Sequence, residues 1–253
     1  MKRDEVILVR GGGDLATGTI HRLWSAGLKV LVLEAEQPAA IRRQVSVSEA
    51  VYQGEAVVEG MRATLVQTLD EAVVVWCRGD VPVMVDPKGA LIPQVRPAVV
   101  VDAILAKKNL GTTRDMAPLT IALGPGFTAG EDVDFVVETK RGHRLGRIIR
   151  EGIAVPNTGV PGVIGGYSAE RVVRAAREGI FHELRAIGDV VESGDVIAEI
   201  EAFDGTRTPV TTCIGGILRG LLRDGYPVTM GFSDKARCIA GSVLELVAEQ
   251  LWK

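Results

Sequence analysis

Residues 11–16 read Gly-Gly-Gly-Asp-Leu-Ala, the G-x-G-x-x-G/A pattern of a turn that seats a pyrophosphate. Small residues there let the backbone approach an anion. The free N–H groups and positive end of the following helix then hold it. Gly11, Gly13, Asp14, Thr17 and Gly18 are the candidate contacts. Glu34 stands 21 residues beyond Gly13, where an acidic side chain accepts from a ribose hydroxyl. Asp14 is discordant, because a carboxylate beside an anion seat repels phosphate; it fits better as a helix cap. The same glycines also suit a tight turn that binds nothing.

A second constellation runs from Asp102 to Arg147. It holds Asp102, Lys107, Lys108, Asn109 and Thr112, then the loop Gly124-Pro125-Gly126-Phe127, then Arg141, His143 and Arg147. Lys107, Arg141 and Arg147 suit an anionic group, the arginines bidentately. Gly124 and Gly126 suit a loop beyond the carboxyl end of a strand, where open α/β sheets bind ligands. His143 transfers a proton near neutral pH, so His143, Arg141 and Asp102 form the candidate catalytic set. The plainer alternative is a solvated helix end at Lys107-Lys108 and surface ion pairs at the two arginines. His21 and His182 read as structural. Asp132, Asp134 and Glu138 read as ion-paired surface carboxylates, and no metal site is expected.

These residues need elements to position them. Val6–Val9 is a continuous apolar run, the pattern of a strand buried on both faces. After the glycines, Leu15, Ile20, Leu23 and Trp24 recur at helical spacing up to Gly27, and Val30–Leu33 makes a second buried strand. That β–turn–α–β order predicts an α/β fold with a Rossmann-like parallel sheet. Further strands are expected at Ala63–Val66, Ala72–Trp76, Val81–Val85, Val99–Val101, Leu119–Leu123 and Val133–Val137. Short helices are expected through Ile104 and Leu105 and over Leu145–Arg150.

The tail carries a repeat at a constant offset of 37: Gly179 with Gly216, Gly188 with Gly225, Gly194 with Gly231. Leu184 and Leu221 match too. Two half-size β units that cannot bury their own cores pack together. Ser233-Asp234 then caps a helix through Ile239, Val243, Leu244, Val247 and Leu251. It stands where the second copy's closing strand is due. Residues 1–165 are thus expected to form the α/β domain. Residues 166–253 would form a small β domain with a C-terminal helix.

Bulk composition sets bounds. Of 253 residues 47% are apolar and 24% charged, with net charge −3, an ordinary globular balance. No basic run suggests nucleic acid or an anionic membrane, and no stretch approaches the ~20 apolar residues of a membrane span. Without a secretory segment, the expected location is the cytoplasm. Cys77, Cys213 and Cys238 lack CxxC spacing and read as reduced, buried small hydrophobes.

Two resemblances follow from these stretches. Val190–Ile200 with Glu201-Ala202-Phe203-Asp204-Gly205 resembles a lipoyl/biotinyl carrier, a barrel-sandwich hybrid domain. Asp204 occupies the acceptor lysine's place, so neither biotin nor lipoate is expected. The whole chain resembles the YqeB-type accessory proteins of selenium-dependent molybdenum hydroxylases. The matching stretches are residues 10–18, 101–109, 123–133, 138–143, 157–162 and 233–237. The resemblance implies a role in maturing such an enzyme. It implies a phosphate-bearing ligand, molybdopterin or its dinucleotide form, and a client hydroxylase as partner, with an oligomer possible. Relatives carry a further segment containing Asp-Pro-Arg before residues 233–237, which this chain lacks. An NAD(P)-dependent oxidoreductase and a non-catalytic scaffold stand as alternatives.

Overall fold

The computed structural model describes residues 5–156, 170 and 172–229. The chain forms two units, one of residues 5–38 and 44–156, the other of residues 39–43 with 170 and 172–229.

In the first unit the apolar runs become strands. In chain order they are β1 (Val6–Arg10), α1 (Asp14–Ser25), β2 (Lys29–Glu34), α2 (Ala50–Gln53), β3 (Glu55–Val58), β4 (Met61–Leu65), α3 (Leu69–Cys77) and β5 (Val81–Val85). Then come α4 (Ile92–Val95), β6 (Val99–Asp102), β7 (Leu119–Leu123), β8 (Thr128–Ala129), β9 (Phe135–Val137), β10 (Ile148–Ile149) and β11 (Gly152–Ile153). One nine-stranded sheet runs β10-β9-β7-β6-β1-β2-β5-β4-β3. The strands from β9 to β4 are parallel, and both edges, β10 and β3, are antiparallel.

Alternation along each strand feeds two cores. Ile7 and Val9 join the cluster under α1 with Ile20 and Leu23, whereas Leu8 joins Leu31, Ala72, Val75 and Ile92 on the other face. The order also creates a topological switch point. From β1 the chain steps to β2, β5 and β4 on one side and to β6, β7 and β9 on the other. The carboxyl ends of β1 and β6 therefore flank the place where ligands of open α/β sheets bind.

Three expected elements differ. Ala72–Trp76 lies in helix α3, not a strand. Its β-branched residues favour a strand, but Thr68 caps the helix by accepting from the Glu71 amide, and Ala72 and Val75 pack onto the sheet. Ile104 and Leu105 lie in an irregular connection, with Leu105 at φ 60° and Lys107 at φ 64°. The Asn109 carboxamide folds that connection by accepting from Gly111 and Thr112. Leu145–Arg150 contains β10, which pairs with β9. The cysteines also depart from expectation: Cys77 and Cys213 are unpaired but exposed. Cys238, residues 157–162 and the C-terminal helix expected from Ser233 lie outside the described residues.

The second unit holds β12 (Gly179–Glu183), β13 (Val190–Val191), β14 (Val196–Glu201), β15 (Arg207–Thr211), β16 (Gly216–Ile217) and β17 (Tyr226–Val228). The repeat copies pair reciprocally. The first strand of copy one, β12, pairs with the second of copy two, β17; likewise β16 pairs with β13. Gly179 and Gly216, equivalent positions, share φ 152°. Val191 and Val228, also equivalent, are both buried in this unit's core. Residues 39–43 belong here by hydrogen bonding: Ile41 accepts from the Leu221 amide, and Arg43 pairs with Glu183 at 2.7 Å.

Candidate functional site

The glycine turn joins β1 to α1, as its sequence predicts, and the strand order sets it at the switch point; its three glycines do different work. Gly11 has φ 96°, and a Cβ there would come within 2.9 Å of the Ala103 carbonyl. Gly12 is covered, since a Cβ would meet the Ser48 amide nitrogen at 3.0 Å and Glu34 Oε2 at 3.3 Å. Gly13 is the helix N-cap at φ −63°, ψ 176°, a conformation open to any residue. Among the described residues, its chain neighbours aside, no heavy atom lies within 4 Å of its would-be Cβ. The fold itself needs the first two glycines but not the third.

The carboxylates around the turn are engaged. Glu34, at the end of β2, accepts from the Gly12 amide at 2.6 Å and from Ala35 at 2.7 Å. Burial pushes its carboxyl above the usual range, against the pull of the Ala35 and Gly12 amides. Asp14 accepts from the Leu15 amide at 2.9 Å, so its carboxylate sits on the helix N-terminus that an anion would use. Thr17 is buried; its hydroxyl donates toward the carbonyls of Gly12 and Gly13 and accepts from the Val47 amide. Ser48 donates its amide to the Gly12 carbonyl. Gly18, exposed on α1, stands roughly 7 Å further along the helix axis from Gly13.

Across the switch point Arg10 and Asp102 are register partners on β1 and β6, 1% and 2% exposed. Thr112 lies between them, accepting from Arg10 and donating to Asp102, both at 2.5 Å. Burial raises the Asp102 carboxyl; bonds from Thr112 and the Ile104 amide, and the Arg10 charge, oppose the rise. So buried a group presents no open face to a ligand. Asp102 is built into the scaffold beside the site.

The remaining candidates spread along the same carboxyl edge. Gly124 and Gly126 follow β7, at φ 80° and 113°. A Cβ on Gly126 would lie 2.7 Å from the Lys108 backbone, and one on Gly124 would lie 2.6 Å from Thr139 Oγ1. These two glycines therefore let one loop pack on another, with Lys107 and Lys108 exposed beside them. Arg141, His143 and Arg147 are exposed on the connection after β9. That strand lies three places from β1, roughly 14 Å at the usual strand spacing. Only an extended ligand reaches both ends of this edge.

Asp132 accepts from the Thr128 amide, Asp134 pairs with Arg114 at 2.8 Å, and Glu138 accepts from the Lys140 and Val155 amides. No group of three or more His, Cys, Asp or Glu side chains among the described residues is placed to hold a metal ion. The residue that sequence reasoning missed is Arg10. Its signal was a charge ending an otherwise apolar strand, which needs a buried partner.

In the second unit Asp204 lies at the tip of the β14–β15 hairpin. It accepts from the Thr206 amide at 2.9 Å, and bonds from the Thr206 amide and hydroxyl hold its carboxyl below the usual range. Phe203 beside it is 89% exposed.

Against known proteins, the chain is 48% identical over 258 residues to the uncharacterized protein YqeB of Escherichia coli. The aligned region covers 95% of this chain and 47% of YqeB. The likeness supports the YqeB family. The chain spans about half the length of the curated relative it matches. No protein-family model matches the chain. Among solved structures, an aspartoacylase family protein of Mesorhizobium loti gives TM-score 0.27 at 12% identity, over 89% of this chain and 82% of that one. A succinylglutamate desuccinylase/aspartoacylase of Rhodobacter sphaeroides gives TM-score 0.27 at 14% identity, over 90% and 83%. At that TM-score neither carries an argument about activity. No helix among the described residues is long and apolar enough to cross a membrane.

Proposed function

We propose that the chain binds a phosphate-bearing cofactor, molybdopterin or its dinucleotide form, in the service of a client molybdenum hydroxylase. The observation that carries the reading is the glycine turn at the switch point, with Gly13 unstrained and, among the described residues, uncovered. A phosphate would take the α1 N-terminus from Asp14, exchanging one anion for another. Glu34 keeps its grip on Gly12 and offers its remaining lone pairs to a hydroxyl. Lys107, Arg141 and Arg147 would meet the anionic parts of an extended ligand, and His143 a reacting end. The client and the molybdenum chemistry rest on the resemblance to YqeB-type accessory proteins.

The second unit fits a barrel-sandwich hybrid fold in which two half-units pair about a pseudo-two-fold. The reciprocal pairing of β12 with β17 and of β13 with β16 supports it. With Asp204 in place of a lysine it carries no biotin or lipoate, and its exposed hairpin tip is the surface offered to the client.

A second reading has one observation in its favour: the acidic Glu34 ending β2 suits the ribose of NAD and disfavours the 2′-phosphate of NADP. A thermal-shift panel of NAD, NADP, ATP, CTP, GTP and extracted molybdenum cofactor separates the readings. Saturation at ~100 times the dissociation constant adds about 2.7 kcal/mol of stability. The expected result is a shift with the molybdenum cofactor that is lost in Gly13→Ser. A shift with NAD alone favours the oxidoreductase, and no shift with any ligand favours the scaffold.

A further inference from the structure

A charge at the end of a strand buried on both faces is destabilising unless every donor finds a partner. Arg10 closes β1 one residue before Gly11. Its Nη1 donates to Thr112 Oγ1 at 2.5 Å, its Nη2 donates to the Pro87 carbonyl at 2.9 Å, and Asp102 Oδ2 lies 3.9 Å away. Thr112, fully buried, donates its own hydroxyl proton to Asp102. Connections leave the carboxyl ends of β1, β5 and β6, and this one guanidinium bonds to the last two from the end of the first.

The 103–112 stretch of the β6–β7 connection is held at both ends. Its near end abuts the turn, where a Gly11 Cβ would strike the Ala103 carbonyl. Its far end is Thr112, on Arg10. Between these anchors Leu105 and Lys107 are non-glycine residues at positive φ, a conformation that persists only when surroundings over-determine it. The same stretch carries the exposed Lys107 and Lys108.

We infer that Arg10, acting through the Thr112 hydroxyl, is a positioning residue that fixes the lysine-bearing connection of residues 103–112 beside the glycine turn for an anionic ligand. The inference rests on the reading that the turn binds a phosphate-bearing ligand. The hydroxyl is the working part, because it accepts from Arg10 and donates to Asp102.

ADP serves as the probe, titrated well below each variant's unfolding midpoint. Thr112→Ser keeps the hydroxyl and is expected to bind as the wild type does. Thr112→Val keeps the shape and is expected to weaken ADP about tenfold, the equivalent of one misplaced charged contact. Removing both lysines (Lys107→Ala with Lys108→Ala) is expected to weaken ADP in the wild type but to add little on top of Thr112→Val. A merely structural Thr112 would leave the affinity of the folded variants unchanged. Wild-type affinity in Thr112→Val, or equal lysine effects in both backgrounds, overturns the inference alone. If Thr112→Val does not fold, the exposed lysine pair decides: unchanged affinity and midpoint in that double variant overturn the inference. A wild type that binds extracted molybdenum cofactor but not ADP is put through the same variant titrations with that cofactor, under the same criteria; one that binds neither overturns the underlying reading, and the inference with it.

Discussion

Glu34 accepts from two backbone amides with two oxygens, Oε2 to Gly12 and Oε1 to Ala35. Glu34→Gln turns an NH2 toward one of those donors and is expected to destabilise by about 1–3 kcal/mol, the cost of a buried polar group left unmatched. The pH dependence has a fixed sign. Burial raises the folded-state pKa above the unfolded value, about 4.3, so the folded chain holds more protons in that window. The Glu34 contribution is therefore full below about pH 4 and falls as pH rises through the raised pKa. Urea midpoints measured from pH 4 to 8 should show the gap between wild type and Glu34→Gln narrowing as pH rises; a widening gap would contradict the burial account. Gly13 gives a second test. At an unstrained N-cap that no described residue covers, Gly13→Ser should leave the midpoint unchanged or raise it slightly, while closing the approach to the turn.

At the scale of elements, α3 depends on Thr68. Thr68→Ala removes the acceptor for the Glu71 amide and is expected to cost about 1 kcal/mol, read from the urea midpoint. The strand core was legible in the sequence because β1, β2, β5, β6 and β7 are buried on both faces, and continuous apolar runs announce that. Helix α3 was not, because Ala72-Val-Val-Val-Trp76 has the β-branched content of a strand. The Thr68-x-x-Glu71 spacing was the one local signal of a capped helix. The helix expected through Ile104 and Leu105 does not form because long-range partners set the path of that connection: Thr112 on Arg10, and Gly126 against the Lys108 backbone. At the candidate site the glycine turn and Glu34 were readable by spacing. The use of Glu34 on Gly12, and the Arg10–Thr112–Asp102 relay, were not, since they join residues up to 102 apart in sequence. The repeat was readable through its 37-residue offset, but its symmetry is unequal in packing. A Cβ on Gly179 would lie 2.3 Å from the Glu201 carbonyl oxygen, whereas one on Gly216 would meet nothing within 4 Å among the described residues. Gly179→Ala should therefore unfold the second unit at a much lower denaturant concentration than Gly216→Ala, by circular dichroism. Equal effects would contradict the pairing of β12 with β14.

For the whole molecule, the proposed function would divide labour between two units with separate cores: the first would bind the ligand, and the second would offer the client Phe203 on its exposed hairpin tip. Phe203→Ser should lower capture of a client molybdenum hydroxylase while leaving the cofactor-induced thermal shift intact, and Gly13→Ser should do the reverse. Loss of both by either variant would contradict the division.

The most direct test of the central claim is calorimetric titration of extracted molybdenum cofactor into purified wild type and Gly13→Ser at matched protein concentration. Saturable binding to the wild type and none to a variant that remains fully folded is the expected result. Equal binding by the two proteins would contradict it, because the cofactor would then sit somewhere other than the turn that leaves β1.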